Sequence, residues 1–240
     1  PDEVVAMGAA IQAGMVLGLI DKAVLLDVLP LSLGIETQGG LMATIIPRNT
    51  ALPASGSRIF TTAADYQTSM DIHMLQGERA LAVDNISLEQ FELTGIPAAF
   101  KGVAKAEVAF EADVDGIVHV SASDLLSESE VKVKVSSTKL RDAQEIDELA
   151  ADGRAKYEED QKRRDRIQAG IEAENLLDAA EKVLKGPQGD IQLKRLVDAI
   201  SRTREALGGE ITEEIRLSCR DLLRLLQAID KASPRAAAPN

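Results

Sequence analysis

The fold that this sequence predicts is an antiparallel β-sandwich or barrel of about eight short strands followed by helices that make a small bundle, the β and α parts being segregated. Three observations predict it. Short runs of alternating apolar and polar residues recur from residue 31 to about 136, with turn signals between them. After Leu140 the apolar residues recur at a helical period instead. The charge changes at the same place: residues 1 to 138 carry 8 Lys+Arg against 18 Asp+Glu, net −10, whereas residues 139 to 240 carry 19 against 21, net −2.

Taken in order, Pro1 with Asp2 and Glu3 starts a helix that runs to about Leu17, because proline's fixed φ and acidic residues both suit a first turn. Val4 to Ile20 is apolar on every side, but Gly8, Gln12, Gly14 and Gly18 make it a poor membrane span, so it reads as a helix buried in a larger domain. Asp21 to Val28 (DKAVLLDV), closed by Pro30, is too short for a core of its own and reads as a linker that can dock. Eight strand-like runs follow: LSLGIET, LMATII, SRIFTT, SMDIHMLQ, QFELT, AEVAFEA, IVHVSA and EVKVKV. In the last of these Val131, Val133 and Val135 oppose Lys132 and Lys134, the mark of a sheet wet on one face. Gly39-Gly40 and Asp115-Gly116 stand between strand pairs and supply the positive φ that tight hairpins need.

In the helical part, Glu158 to Arg166 contains no apolar residue, which predicts an arm solvated on both sides and stitched by Glu158–Lys162, Glu159–Arg163 and Asp160–Arg164 at i,i+4. Apolar spacing resumes at Ile167, Ile171, Leu176, Leu177, Ala180 and Leu184, and Gly186-Pro187 ends that helix. Two further amphipathic helices carry Leu193, Leu196, Val197, Ile200 and Leu207, then Ile215, Cys219, Leu222, Leu223, Leu226 and Ile229. The three faces make one bundle. Ser233 to Asn240 reads as a disordered tail.

Composition excludes several functions. A formal charge of −12 disfavours nucleic acid, whose phosphates select clustered Lys and Arg, and aromatics at 2% with no Trp leave no stacking platform. Cys219, the single cysteine, falls on an apolar helical position, so it reads as a buried inert thiol in a reducing, cytoplasmic compartment. His73 and His119 lie in separate strands and read as structural; no spacing resembles a metal site, and no nucleophile, base and orienting group assemble into a catalytic site. No membrane partner is expected. The chain has no basic n-region and opens on Pro1, so no signal peptide is read and the start reads as a cut.

The runs VLLDVLPLSLGIETQGG, IIPRNTALP, HMLQGERALAVDN, FELTGIP and DVDGIVHVSASD stand in one order from Val24 to Asp124. In that order they are similar to the DnaK branch of the seventy-kilodalton heat-shock family, closely from Pro1 to about Val135, by pattern only through the lid, and not in the last forty residues. PDEVVAMGAAIQAG resembles the last helix of that family's nucleotide-binding domain. The resemblance implies this division: 1–18 the last helix of a truncated nucleotide-binding domain, 19–29 the interdomain linker, 30–138 the β-sandwich, 139–231 the lid and 232–240 the tail. It implies a chaperone fragment that binds extended apolar segments of unfolded polypeptides and is not itself an enzyme. No cofactor is expected in the fragment; ATP with Mg would sit in the missing domain of an intact parent, served by a J-domain co-chaperone and a nucleotide exchange factor.

The same resemblance implies the site. Ile35, Phe60, Met70 and Ile72 would line an apolar pocket, Thr37 would offer backbone partners, and Gln38 with Ala63 would arch over the bound peptide. Read from the residues alone, each apolar side chain is an ordinary core residue. Val24, Leu25, Leu26, Asp27 and Val28 would carry an allosteric signal, with Asp27 as the polar contact; alone, the run reads as a minor strand. Two lid contacts would join Arg79 to Asp160 and Lys101 to Glu174; alone, all four are solvated surface charges. Where the family often has methionine, histidine or a smaller branched residue, this chain has Gln38, Asp178 and Met70, which implies a more polar arch, repulsion between Asp178 and Asp65, and a shallower pocket. The competing reading is a non-cycling peptide-binding scaffold, which would not need VLLDV.

Overall fold

The structure, a computed structural model, describes residues 2–18, 27–127, 129–135, 143–185 and 190–232. Val24, Leu25, Leu26, the Gly186-Pro187 helix stop and the 233–240 tail lie outside the described residues. Helix α1 (Asp2–Val16) leads, with Val5, Met7, Ile11 and Val16 exposed. Eight strands follow: β1 (Leu33–Thr37), β2 (Leu41–Ile46), β3 (Ala54–Thr61), β4 (Ser69–Gln76), β5 (Ile86–Thr94), β6 (Lys105–Ala112), β7 (Val118–Asp124) and β8 (Glu130–Val135). They form two four-stranded antiparallel sheets, ordered β2-β1-β4-β5 and β3-β6-β7-β8.

Of the sandwich and the barrel that the strand pattern allows, this is the sandwich. Ala106, Val108, Phe110 and Ala112 of β6 and Val118, Val120 and Ala122 of β7 point inward and meet Leu33, Ile35, Ile72, Met74 and Leu93 of the other sheet. Phe110 is fully buried at this interface, and burying such a ring contributes about 1.5–3 kcal/mol. The hairpin signals also form: Gly39 and Gly40 take φ of +79° and +69°, and Gly116 takes +75° in a turn where Asp113 Oδ1 accepts from the N–H groups of Asp115 and Ile117, both at 2.9 Å.

Two strands begin earlier than the alternation suggests. β3 starts at Ala54 and passes through Gly56, where a Cβ would stand 2.9 Å from the Ile45 carbonyl oxygen, so only glycine permits that approach. β5 starts at Ile86, and a bulge opposite Met74/Leu75 interrupts its two-residue period. Leu52 N–H donates to Asp27 O at 2.8 Å and Leu29 N–H to Thr50 O at 2.9 Å, so Asp27 to Leu29, in the run that the resemblance implies is a linker, pair with the sandwich edge.

The helices are α2 (Ala143–Ala155), α3 (Tyr157–Leu184), α4 (Asp190–Gly208) and α5 (Thr212–Ala232). Leu177, Ala180, Leu196, Ile200, Leu222 and Ile229 form the bundle core, with a second cluster of Ala169, Ala173, Ile215 and Cys219 beside it. Cys219 is buried, and that burial pushes its thiol pKa up. Leu193, Val197 and Leu223, expected on the bundle faces, are exposed instead. The inner stripe of α4 is Leu196, Ala199, Ile200 and Thr203, the last fully buried because its hydroxyl donates to Ala199 O at 2.9 Å.

Candidate functional site

β1 and β4 are neighbours for only part of their length. Their ladder joins Leu33–Ile35 to Met74–Gln76 and then stops, although β1 continues to Thr37 and β4 starts at Ser69. β2 and β5 pair with the outer sides of these segments, which leaves the main chain of Glu36 and Thr37 facing that of Ser69 to His73 across an opening. His73 spans the opening by its ring: Nδ1 lies 2.7 Å from Glu36 Oε2, and Nε2 lies 2.8 Å from Ser87 Oγ. Three strands thus place a carboxylate, an imidazole and a hydroxyl in one row, a juxtaposition that the one-dimensional reading missed because serine alone carries no signal.

Below the opening is a cavity of about 850 Å³. All seven residues expected at the pocket, Ile35, Thr37, Gln38, Phe60, Ala63, Met70 and Ile72, line it. Ile35 and Ile72 are buried in the core cluster and make its floor, while Phe60 and Met70 are half-buried and pack against the same cluster. Gln38 and Ala63 stand exposed on the rim. Thr37 Oγ donates to Leu41 O at 3.0 Å and stiffens the hairpin that carries Gln38. On the other side Gln67 Oε1 accepts from Ala63 and Ala64 N–H at 2.9 and 3.2 Å, fixing the loop that carries Ala63.

α3 lies over this cavity and is fastened at both ends. At one end Arg79 grips Asp160 with two bonds, Nε to Oδ2 at 2.8 Å and Nη2 to Oδ1 at 3.0 Å, while Ala80 N–H donates to the same carboxylate at 3.0 Å. Asp152 of α2 takes Arg79 Nη1 at 2.8 Å. Arg79 and Asp160 are both buried; the bond from Arg79 holds the Asp160 pKa below the usual carboxylate range, and the pKa of Arg79 is raised in return. Asp160 therefore does not serve Arg164, and the arm that lacks apolar residues is solvated on one side only. In the middle, Ile167 and Ile171 sit on the β1–β2 turn: a Cβ at Gly39 would be 2.5 Å from Ile167 Cγ2.

The far fastening differs from the expected one. Lys101 Nζ donates to Asn175 Oδ1 at 2.6 Å rather than pairing with Glu174, which is exposed. Asp65 meets Lys182, Nζ to Oδ2 at 3.0 Å, and not Asp178, which is exposed one turn earlier. A helix turns about 100° per residue, so one residue of misplacement carries a side chain off the interface. The expected carboxylate repulsion is therefore an attraction: the Lys101 N–H bond and then Lys182 lower the Asp65 pKa.

A smaller cavity of about 300 Å³ between α4 and α5 is lined by Ala199, Arg202, Glu205, Ala206, Leu217 and Asp221, on helices whose main chain is bonded internally. Among the described residues no group of three or more His, Cys, Asp or Glu could hold a metal ion, and no helix is long and apolar enough to cross a membrane.

The architecture is thus a split β-sandwich with a cavity beneath a helical lid fastened at both ends. The chain belongs to the Hsp70 family: the family model described as Hsp70 protein matches residues 1–234. This is a family of chaperones that bind unfolded peptides and co-chaperones, and its members carry ATPase activity.

Proposed function

We propose that this chain is the C-terminal, substrate-gripping portion of a DnaK-type Hsp70 and that it holds extended apolar segments of unfolded polypeptides in the cavity beneath α3. The observation that carries this reading is the parting of β1 and β4 directly above an apolar floor. An extended segment laid in the opening would gain main-chain hydrogen bonds from Glu36 and Thr37, each worth a net of about 0.5–1.5 kcal/mol, and these are indifferent to sequence. One side chain would descend onto Ile35, Phe60, Met70 and Ile72, and a buried leucine adds about 1.5–3 kcal/mol. Gln38 and Ala63 would close over the backbone from the two rims. After ordering costs, a Kd near about 1 μM follows.

In this reading ATP with Mg is assigned to the nucleotide-binding domain of an intact parent. That α1 exposes apolar residues on all sides supports its reading as a piece of that domain, with Val24 to Val28 as the linker through which ATP-driven cycling, a J-domain co-chaperone and an exchange factor act. A cytoplasmic location is part of this reading, and the single, buried Cys219 is compatible with it.

Fluorescence anisotropy with a labelled heptapeptide, leucine at its centre and basic residues at its flanks to match the net −10 of residues 1–138, tests the reading. Saturable binding near a micromolar is expected. No saturation by about 100 μM would overturn it.

A further inference from the structure

The cavity does not use the most conspicuous apolar feature beside it. Tyr66, in the β3–β4 loop, and Phe100, in the β5–β6 loop, stack with ring centroids 5.5 Å apart at 48°, and they are 63% and 60% exposed. The chain has only four Phe and two Tyr, so a third of its Phe and Tyr rings stand here, together and in water. Tyr66 also holds φ at +61°, a left-handed conformation that is unfavourable for a bulky residue and that asparagine or glycine adopts more readily.

The platform is rigid. Tyr66 N–H donates to Ala99 O at 2.7 Å, Lys101 N–H donates to Asp65 Oδ1 at 2.9 Å, and Gly102 N–H donates to Thr62 O at 3.1 Å, so the two loops are tied at three points. The same loops supply Ala63, Gln67 and Lys101 to the cavity wall, and Gln67 and Lys101 directly adjoin Tyr66 and Phe100 in the chain. α3 is already seated on Asp65 and Lys101 and still leaves both rings open.

We propose that Tyr66 and Phe100 form a second side-chain subsite for the polypeptide bound in the cavity, taking an aromatic or proline residue a few positions from the anchor. The proposal rests on the reading of the cavity as a site for an extended polypeptide. Such a chain leaving the cavity past Ala63 and Lys101 meets the two rings next. The tilted pair leaves an open face that a third ring, aromatic or pyrrolidine, completes. A cationic side chain fits less well: Lys101 and Lys182 stand alongside, and both carboxylate oxygens of Asp65 are already engaged by Lys101 N–H and Lys182.

The test uses the full chain and labelled dodecapeptides with one central leucine, in which a single Phe, Pro, Arg or Ser is walked along both flanks. Phe and Pro are expected to raise affinity over Ser by about 3- to 10-fold at one position on one side, and Arg is expected not to. Tyr66→Asn and Phe100→Ser should each abolish that gain and leave the Ser peptide's affinity unchanged, with the Tyr66→Asn unfolding midpoint no lower than the parent's. A gain at every position, or one that survives both substitutions, overturns the proposal. So does an equal loss for the Ser peptide, which would make the pair a loop brace. If even the Ser peptide fails to saturate, the cavity reading itself falls, and this proposal with it.

Discussion

Arg79 and Asp160, 81 residues apart in the chain, meet through two parallel hydrogen bonds of 2.8 and 3.0 Å in a buried site, and this pair sets where α3 crosses the sandwich. Asp84 stands 3.5 Å from the same guanidinium and Asp152 at 2.8 Å, so the cation is shared among three carboxylates. Hydrogen bonds to charged groups are worth about 1.5–3 kcal/mol each way. Asp160→Asn is therefore expected to speed peptide release by about 30-fold, equivalent to about 2 kcal/mol, in stopped-flow displacement of a labelled peptide. Asp152→Asn, at a half-exposed position, should change it far less.

The pH dependence follows from the same groups. Asp160 is held below the usual carboxylate range chiefly by Arg79, Asp65 chiefly by the Lys101 N–H, and Asp152 chiefly by Lys156. Carboxylates with lowered folded values contribute stability that is full above the unfolded value of about 3.9 and is lost as pH falls through the lowered one. Peptide release is expected to accelerate as pH falls below about 4. The acceleration should be smaller in Asp160→Asn, which has already lost the main contributor.

At the far end of α3, the Asp65–Lys182 pair is exposed, so solvent screens it and it contributes little. Lys182→Ala should quicken release by no more than about 5-fold and Lys182→Glu by more, both differences shrinking at about 1 M salt, where screening reaches about 3 Å. Asp178→His should leave release unchanged at pH 6 and pH 8, since Asp178 is exposed and Lys182 occupies the place opposite Asp65. Slower release in that variant at pH 6 would restore the contact that the sequence suggests.

Gly39 is where α3 touches the β1–β2 turn. An added Cβ would stand 2.5 Å from Ile167 Cγ2, on a backbone with φ of +79°. Gly39→Ala is expected to lift the lid and cost about 1–2 kcal/mol, read as release faster by about 5- to 30-fold. Ile167→Ala should partly reverse the effect by removing the clashing methyl, and a strictly additive double variant would show that the strain lies in the turn alone.

Met70 is half-buried on the wall of the cavity. Met70→Val should deepen the cavity and shift preference from Val-centred toward Phe-centred peptides, one methylene in an apolar site being worth about 1–3 kcal/mol. An unchanged ratio of the two affinities would mean that Met70 serves the core and not a ligand.

What the sequence revealed and what it hid divide along physical lines. The strands of β6 to β8 were legible because Val108, Phe110, Val118 and Val120 alternate with polar residues on a sheet wet on one face. The seven residues that the motif resemblance picks out all line one cavity. The parting of β1 from β4 was not legible, because pairing between strands that are not consecutive leaves no local pattern. Lid contacts were read to within a residue or a turn, Glu174 for Asn175 and Asp178 for Lys182, which is the precision that a weakly matching helix allows. The Glu36–His73–Ser87 row and the Tyr66–Phe100 pair come from separate strands and loops and emerge only once the chain is folded.

The central claim is that an extended polypeptide occupies the opening between β1 and β4 under α3. Intermolecular NOEs from a bound peptide whose central leucine methyls alone are labelled test it most directly. Contacts to Ile35, Phe60, Met70 and Ile72, together with protection of the Glu36 and Thr37 amides from hydrogen exchange, are the expected result. Contacts to Leu217 and Ala206 in the α4–α5 cavity, with the Glu36 and Thr37 amides unprotected, would contradict it.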